Sequence, residues 1–350
     1  MRRALAAIAL AATMVPASVG PAVAAGSAEV YRFSDERLDE ISGMTLSLRH
    51  PGVLWVHNDS SGGPYIYAID ATTCETLARV RIDGIAARDI EAIASGRDAK
   101  GRPVLWVADI GDNLDSWPEV RLHRVREPKT IESTTVTART YRVTYADRPH
   151  NAEALLVDPA SGAMWIVTRQ LAHGRLYALP SPLSRTEVNI AQPIQREGGL
   201  VTDGAVSPDG SRYVLRNYVD ATVFAGLPPG SDPVPVAMPF QPQGEAVTWT
   251  ADGRDLLVTS ERDNRLLRVS VGDTGQSIPS AGASSGASAP TVPSDPAGAS
   301  TSASPSVPDD AADSPLGGGA VAVAVAAGLV LLAAAGIAIA EVRRRRARDG

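Results

Sequence analysis

One short pattern recurs five times along the chain and constrains the fold more than any other feature of the sequence. Each copy begins with an apolar stretch that carries a polar side chain near its start. A tight turn containing glycine and further apolar runs of strand length follow. The copies succeed one another at intervals of 42 to 62 residues, a length typical of one four-stranded unit. Their starts are SGMTLS at Ser42, EAIASG at Glu91, EALLVD at Glu153, DGAVSP at Asp203 and EAVTWT at Glu245.

This repetition predicts an all-β fold, namely a β-propeller over residues 26–271 with five blades favoured. Four copies contain a candidate fourth strand, whereas the fifth ends at Val271 without one. The preceding segment AEVYRFSD, from Ala28 to Asp35, is expected to supply that strand and so to close the ring without exposed sheet edges. Six blades are the alternative and would need an extra blade in the long second copy, where TIESTTVTARTYRVTYADRPH is short for four strands.

The two ends of the chain have the composition of export and membrane segments. Residues 1–24 carry two arginines, an apolar run and a small-x-small cleavage pattern, which predict a signal peptide. Residues 272–315 are rich in Ser, Ala, Pro and Gly and predict a disordered stalk. Residues 316–340 lack charges and predict one transmembrane helix, with the basic tail 341–350 on the cytoplasmic side. We therefore expect a single-pass cell-membrane protein whose propeller lies outside the cytoplasm.

Charge and cysteine content narrow the classes of partner. The chain has a net charge of −6. Its two ends carry more arginines than acidic residues, so the net charge of the part between them is more negative than −6. Such a surface excludes nucleic acid as a natural partner and favours cations. Cys74 is the single cysteine, so the exported domain has no internal disulfide and depends on its core or on bound ions.

The acidic residues at the start of the repeats are the candidate metal ligands. The first strands of a propeller line its central channel, so these acids are expected to approach one axis, with Ser42 in the equivalent place of the first repeat. Oxygen donors without a cysteine or histidine cluster indicate Ca²⁺. An alternative is that each acid accepts hydrogen bonds from backbone amides of the next blade. The candidate ligands are Glu91, Glu153, Asp203, Glu245, Asn58, Asp59 and Asp109.

Three stretches resemble the SdiA-regulated propeller family and, more distantly, NHL-repeat and phytase-type esterase-like propellers. They are ISGMTLSLRHPGVLWVHNDSSGGPYIYAID, DIEAIASG and QGEAVTWTADGRDLLVTSERDNRLLRV, and the resemblance spans most of residues 30–271. It implies a five-bladed propeller with a bound calcium ion, but no settled activity. Ser42, Arg169 and Arg216 depart from a uniform ring of acidic ligands.

Two classes of function follow. The first is a binding module that recognises a small molecule, a cell-wall component or a protein through loops at the channel mouth, with Trp117, Asp112, Asn113, Arg169 and Arg216 as candidate contacts. The second is a calcium-dependent hydrolase of phosphoesters, lactones or esters, in which Glu91 and Glu153 would be the catalytic carboxylates. No G-x-S-x-G elbow supports a serine hydrolase. Fold alone does not decide between the two classes.

Overall fold

A computed structural model describes residues 29–59, 63–171, 173–261 and 263–272, and within them all regular structure is β-strand. The predicted signal peptide, transmembrane helix and basic tail, and all of the stalk but its first residue, lie outside these ranges. No helix in the described part of the chain is long and apolar enough to cross a membrane. The strands are β1 (Glu29–Arg32), β2 (Ile41–Leu46), β3 (Val53–Asn58), β4 (Tyr65–Asp70), β5 (Thr76–Asp83), β6 (Ile90–Arg97), β7 (Pro103–Asp109), β8 (Val120–Arg126), β9 (Thr134–Thr137), β10 (Arg139–Tyr145), β11 (Ala152–Val157), β12 (Met164–Thr168), β13 (Arg175–Ala178), β14 (Asn189–Arg196), β15 (Val201–Val206), β16 (Arg212–Asn217), β17 (Asp220–Ala225), β18 (Ser231–Ala237), β19 (Gly244–Trp249), β20 (Asp255–Ser260) and β21 (Asp263–Ser270).

Twenty of these strands pair into five antiparallel groups of four. The groups are β2-β3-β4-β5, β6-β7-β8-β10, β11-β12-β13-β14, β15-β16-β17-β18 and β19-β20-β21-β1. Each first strand and the hairpin after it coincide with one copy of the sequence repeat. The glycines of the turns between first and second strands, such as Gly52 (φ 80°) and Gly210 (φ 71°), have the positive φ that a tight turn requires.

The first strands of the five groups pack side by side in a closed cycle. Strand β2 contacts β6, β6 contacts β11, β11 contacts β15, β15 contacts β19, and β19 contacts β2 again. Residues from all five strands, together with the turns that follow several of them, line a single cavity of about 90 Å³. The opposite ends of the same strands, where each strand begins, carry the acidic residues of the repeat. We call this end, with the loops that surround it, the acidic end.

The core lies between neighbouring groups, because the inner strands bury both faces. Strands β3, β11, β12 and β19 are buried at every position, including the polar residues that they carry. Trp55, Trp106 and Trp165 belong to this core and are all less than 9% exposed. The outer strands alternate instead: β5 buries Ala78, Val80 and Ile82, whereas Arg79 between them is half-buried and Arg81 is exposed. The core is therefore distributed among the interfaces between groups.

The N-terminal strand completes the last group, as the sequence predicted. Strand β1 pairs antiparallel with β21, and Tyr31 lies opposite Leu266 and Arg32 opposite Arg265. Asn264 reinforces the junction, since its side chain accepts a hydrogen bond from Arg32 at 3.1 Å. The last group thus obtains its fourth strand from the opposite end of the domain.

Two connections depart from this regular pattern and were not predicted. Strand β9 leaves its own group and pairs in parallel with β5 of the preceding group, at the pairs Val80–Thr134 to Asp83–Thr137. Strand β10 pairs in parallel with β14 of the following group, which joins two groups into a continuous eight-stranded sheet. Parallel pairs between outer strands have no local sequence signal, because the partners lie far apart in the chain.

Candidate functional site

The four repeat acids occupy equivalent positions at the starts of their strands and are all buried. Glu91, Glu153, Asp203 and Glu245 are at most 5% exposed, and Ser42 is buried in the fifth position. The charge of Glu153 is among the causes that raise the pKa of each of the other three acids. Their side chains do not form one uniform ring, however, because each acid has different neighbours.

Glu91 belongs to a cluster with Asp59 and Asp89. One carboxylate oxygen from each residue lies within 4.8 Å of the others, and this buried triad could hold a metal ion. Burial, followed by the charges of Glu153, Asp89 and Asp59, raises the pKa of Glu91 well above its usual value. A cation between the three carboxylates would remove this repulsion.

Gly111 forms one wall of the triad. A Cβ atom at this position would lie 2.4 Å from Oε1 of Glu91 and 2.6 Å from Oδ2 of Asp89. The backbone amide of Gly111 donates to the carbonyl of Asp89 at 3.1 Å, which keeps the loop against the carboxylates. Only glycine fits this approach without displacing the acidic side chains.

Glu153 is paired with an arginine at the same end of the fold. Nη1 of Arg169 donates to Oε1 of Glu153 at 2.7 Å, and the guanidinium also donates to the Tyr218 hydroxyl. Although burial lowers it, the charge of Glu153 raises the pKa of Arg169 well above its ordinary value. Arg169 therefore compensates the charge of Glu153. The carboxylates that could hold a metal ion are instead those clustered around Glu91.

Asp203 and Glu245 are hydrogen-bonded within the protein. Asp203 accepts from the backbone amides of Gly204 and Val247 at 2.8 Å each, which is the alternative predicted for these acids because Val247 belongs to the next group. Burial outweighs both bonds and raises the pKa of Asp203. Glu245 accepts from the Gln243 side chain at 3.1 Å, and burial together with Glu261 raises its pKa.

Three further oxygen donors were predicted at the ends of the second strands. One of them belongs to the triad, and the other two form hydrogen bonds with backbone groups. Asp59 is in the triad. Asp109 accepts from the backbone amides of Arg88 and Asp89 at 3.1 and 2.8 Å, so it positions the strand that carries Glu91. The Asn58 amide donates to the carbonyl of Arg37.

Five residues were predicted to contact a ligand, and the side chains of four of them form hydrogen bonds within the protein. These four are Asp112, Asn113, Arg169 and Arg216. Asp112 accepts from the backbone amides of Ser116 and Trp117 at 2.6 Å and stabilises their loop. Trp117 is half-buried beneath the guanidinium of Arg88, whose Cζ lies 4.0 Å from the ring centroid. The exposed Asn113 side chain donates to Asp89 at 3.2 Å.

Arg216 lies opposite Asp203 on the neighbouring strand, and its side chain is buried. It is 1% exposed and donates to the carbonyls of Ala246 and Thr259 at 2.8 and 2.7 Å. These bonds tie the fourth group to the fifth. The sequence pattern correctly placed Arg216 on a second strand. It did not predict the hydrogen bonds of its side chain, because these bonds depend on how the fourth and fifth groups pack together.

Asp89 is the member of the triad that is missing from the ligands predicted from the sequence. The signal was its i, i+2 spacing from Glu91, which places both side chains on one strand face.

No family model and no curated protein matches the chain. Among solved structures, the hydrazine synthase of Kuenenia stuttgartiensis has a TM-score of 0.34 and 9% identity, with 59% of this chain and 58% of that chain covered. The chain thus spans less than two thirds of that protein, and a likeness of this degree carries no argument.

Proposed function

We propose that residues 29–272 form a five-bladed β-propeller that acts as a binding module. Five four-stranded antiparallel groups, a closed cycle of first strands and a cavity lined by all five of them support this architecture. Six blades have less support, because the long second repeat contributes only β9 and β10 beyond its first three strands. The resemblance to the SdiA-regulated propeller family agrees with this count and is part of the same proposal.

Exposed apolar side chains at the acidic end are the observation that favours binding. Leu114, Leu171 and Val219 lie on loops between second and third strands, and Phe240 lies on the loop before β19. They are 67%, 73%, 53% and 87% exposed. Strand pairing places all four loops at the end where the first strands begin. Large exposed apolar side chains gathered at one end of a fold are typical of interaction sites.

Photo-crosslinking tests this surface directly. A photoreactive residue at position 171 or 240 of the full chain on intact cells is expected to give discrete crosslinked species. The same residue at position 194 is the control, since Ile194 is also exposed but lies on the outer strand β14. Absence of species from 171 and 240, or equal species from 194, would contradict binding at the acidic end. The mass of the product separates a protein from a cell-wall fragment.

Display outside the cytoplasm is the second part of the proposal. The signal-peptide pattern of residues 1–24, the uncharged stretch 316–340 and the following arginines support a single-pass membrane anchor with a cytoplasmic tail. Protease added to intact cells is expected to remove the domain and to spare an epitope tag placed after residue 350. Resistance of the domain before lysis would contradict this orientation.

A calcium ion at the triad is the third part. Asp59, Asp89 and Glu91 supply carboxylate oxygens alone, which Ca²⁺ accepts in larger numbers and with a less strict geometry than Mg²⁺. These residues would hold the ion at the junction of the first two groups, beneath the loops of the acidic end. The ion would then stabilise the binding surface.

Calorimetric titration of the full chain with Ca²⁺ and Mg²⁺ tests this site. We expect Ca²⁺ binding that Glu91→Gln abolishes and that Asp203→Asn leaves unchanged. Asp203 is a matched control, because it occupies the equivalent position of another repeat and bonds to backbone amides. A site-specific ion at a thousand-fold excess over its Kd would add about 4 kcal/mol to the free energy of unfolding. Equal Ca²⁺ affinity in Glu91→Gln would contradict the assignment.

Hydrolysis is the second candidate function, and the different surroundings of Glu91 and Glu153 favour it. Burial and the charges of neighbouring acids raise the pKa of Glu91, whereas Glu153 is paired with Arg169. Carboxylates in such different environments can act as acid and base. Turnover of ester, lactone or phosphoester substrates that is lost in both Glu91→Gln and Glu153→Gln would support this function. Turnover that persists in both variants would exclude these residues.

A further inference from the structure

An arginine-lined cleft of about 460 Å³ lies in the second group, at the end opposite the acidic end. Its charged lining consists of Arg102, Arg124, Arg126, Arg139 and Asp98. Its volume falls within the range of about 300–1,000 Å³ typical of small-molecule sites.

The cleft follows from the unusual course of β9. Strand β9 pairs with β5 of the first group, whereas β10 pairs with β8 of the second. Only Ala138 separates the two strands, so the chain crosses from one sheet to the other at this point. The residues of this crossing, from Val136 to Arg139, form one side of the cleft.

Three of the arginines project from the same face of the second group. Arg124 lies directly opposite Arg139, and Arg126 is two residues further along the same strand. The Arg124 guanidinium is 5.5 Å from the ring centroids of both Trp106 and Tyr141, which limits its movement. The cleft thus has one held guanidinium and two more exposed ones around it.

A second pair of facing arginines shows how the protein compensates such charges elsewhere. On the other face of the same two strands, Arg121 lies opposite Arg142, and Glu119 is 3.9 Å from the first and 3.6 Å from the second. Like charges that face each other across strands are unfavourable, and a carboxylate between them relieves the repulsion.

The pair in the cleft has no such carboxylate. Among the described residues, Asp98 pairs with Arg102 at 2.6 Å, and no ion pair is formed by Arg124, Arg126 or Arg139. Three uncompensated cations around a cleft of this volume are suited to a multiply charged anion. A phosphoryl group matches them better than a single carboxylate, because it carries up to two charges and three oxygens that accept forked guanidinium bonds.

We propose that this cleft binds the phosphoryl group of a small soluble molecule, with Arg124, Arg126 and Arg139 as its ligands. The site is separate from the acidic end. It does not depend on the binding function or on the calcium ion proposed above.

Calorimetric titration of the full chain with inorganic pyrophosphate and with glycerol 3-phosphate, at about 0.15 M salt, tests the site. Saturable binding is expected, and Arg139→Gln should weaken it about tenfold or more, as expected for loss of a charged hydrogen bond. Arg139 is exposed, so this variant is expected to fold, and its circular dichroism spectrum checks this. Arg254→Gln is the control, since it removes the same charge from an exposed position in the fifth group.

Three results would overturn the proposal. The first is failure of both probes to bind the folded wild-type chain. The second is equal weakening by Arg139→Gln and Arg254→Gln, which would indicate a general charge effect. The third is capture of the chain only by phosphatidylglycerol vesicles, because the inferred ligand is soluble.

Discussion

His57 is an ionisable residue enclosed entirely by the protein. Its Nδ1–H donates to the carbonyl of Asn58 at 2.9 Å, and Nε2 has no hydrogen-bond partner among the described residues. Because a carbonyl only accepts, this bond assigns the proton of the neutral ring to Nδ1. Burial lowers the pKa of His57 to about 4.

Replacement of His57 by asparagine is expected to flatten the acid side of the stability profile. The folded protein binds fewer protons than the unfolded chain between pH 6.5 and about 4, so stability is lost as the pH falls through this window. The loss is on the order of 3 kcal/mol for a shift of this size. Urea unfolding of wild type and His57→Asn at several pH values measures the difference. Parallel profiles would contradict a neutral buried imidazole.

Gly111→Ala is expected to disrupt the triad. The added methyl group would overlap the carboxylates of Glu91 and Asp89, which must move apart or turn. We expect loss of Ca²⁺ binding and destabilisation by about 1–3 kcal/mol, measured by calorimetry and by thermal unfolding. Gly198→Ala is the matched control, because a Cβ there meets nothing within 4 Å. Unchanged Ca²⁺ affinity in Gly111→Ala would contradict the proposed position of the ion.

At the scale of single residues, the sequence predicted where the repeat acids lie on their strands better than it predicted which side chains they contact. The spacing of the repeats identified Glu91, Glu153, Asp203 and Glu245 as equivalent, and all four are buried at the strand starts. It did not predict that Arg169 compensates Glu153, because that bond depends on how a loop folds over the acidic end. Distances between side chains of different groups are set by packing, which a local pattern does not contain.

At the scale of elements, strand β10 contributes one arginine to each of two facing pairs with β8, and we expect the loss of these two arginines to affect stability differently. Arg139→Gln removes repulsion with Arg124 and is expected to stabilise the ligand-free protein by about 0.2–1 kcal/mol at low salt. Arg142→Gln removes an exposed ion pair with Glu119 and should have no stabilising effect. Thermal unfolding at low and high salt measures both variants. Destabilisation by Arg139→Gln would indicate that a protein carboxylate already compensates this pair.

The elements themselves were largely predictable from local signals. Apolar runs and glycine turns predicted the first three strands of each group and the pairing of β1 with β21. Strand β9 was not identified, because TTVT is short and exposed, and no local pattern predicts its parallel partner in another group. The cleft that results from this crossing was therefore missed as well.

At the scale of the domain, the pairing of β1 with β21 joins the first and last of the described strands. A disulfide across this pair, from Arg32→Cys and Arg265→Cys, is expected to form because the two residues face each other. It should stabilise the oxidised protein by about 2–4 kcal/mol, because it closes a long loop in the unfolded chain.

Thermal unfolding under oxidising and reducing conditions measures this effect, with each single cysteine variant as the control. The natural Cys74 is buried, and burial raises its pKa to about 12, so it should not compete for the new thiols. Failure of the disulfide to form would contradict the pairing of the two ends.

The same pairing fixes the order in which the domain can be completed during synthesis. Strand β1 leaves the ribosome first among the described strands and β21 leaves it last, yet each is the other's neighbour. The nascent chain therefore carries an open first strand until residue 270 has emerged, whatever the preceding groups have formed. A product that stops before β21 retains exposed sheet edges, and such edges are what proteases and aggregation act upon.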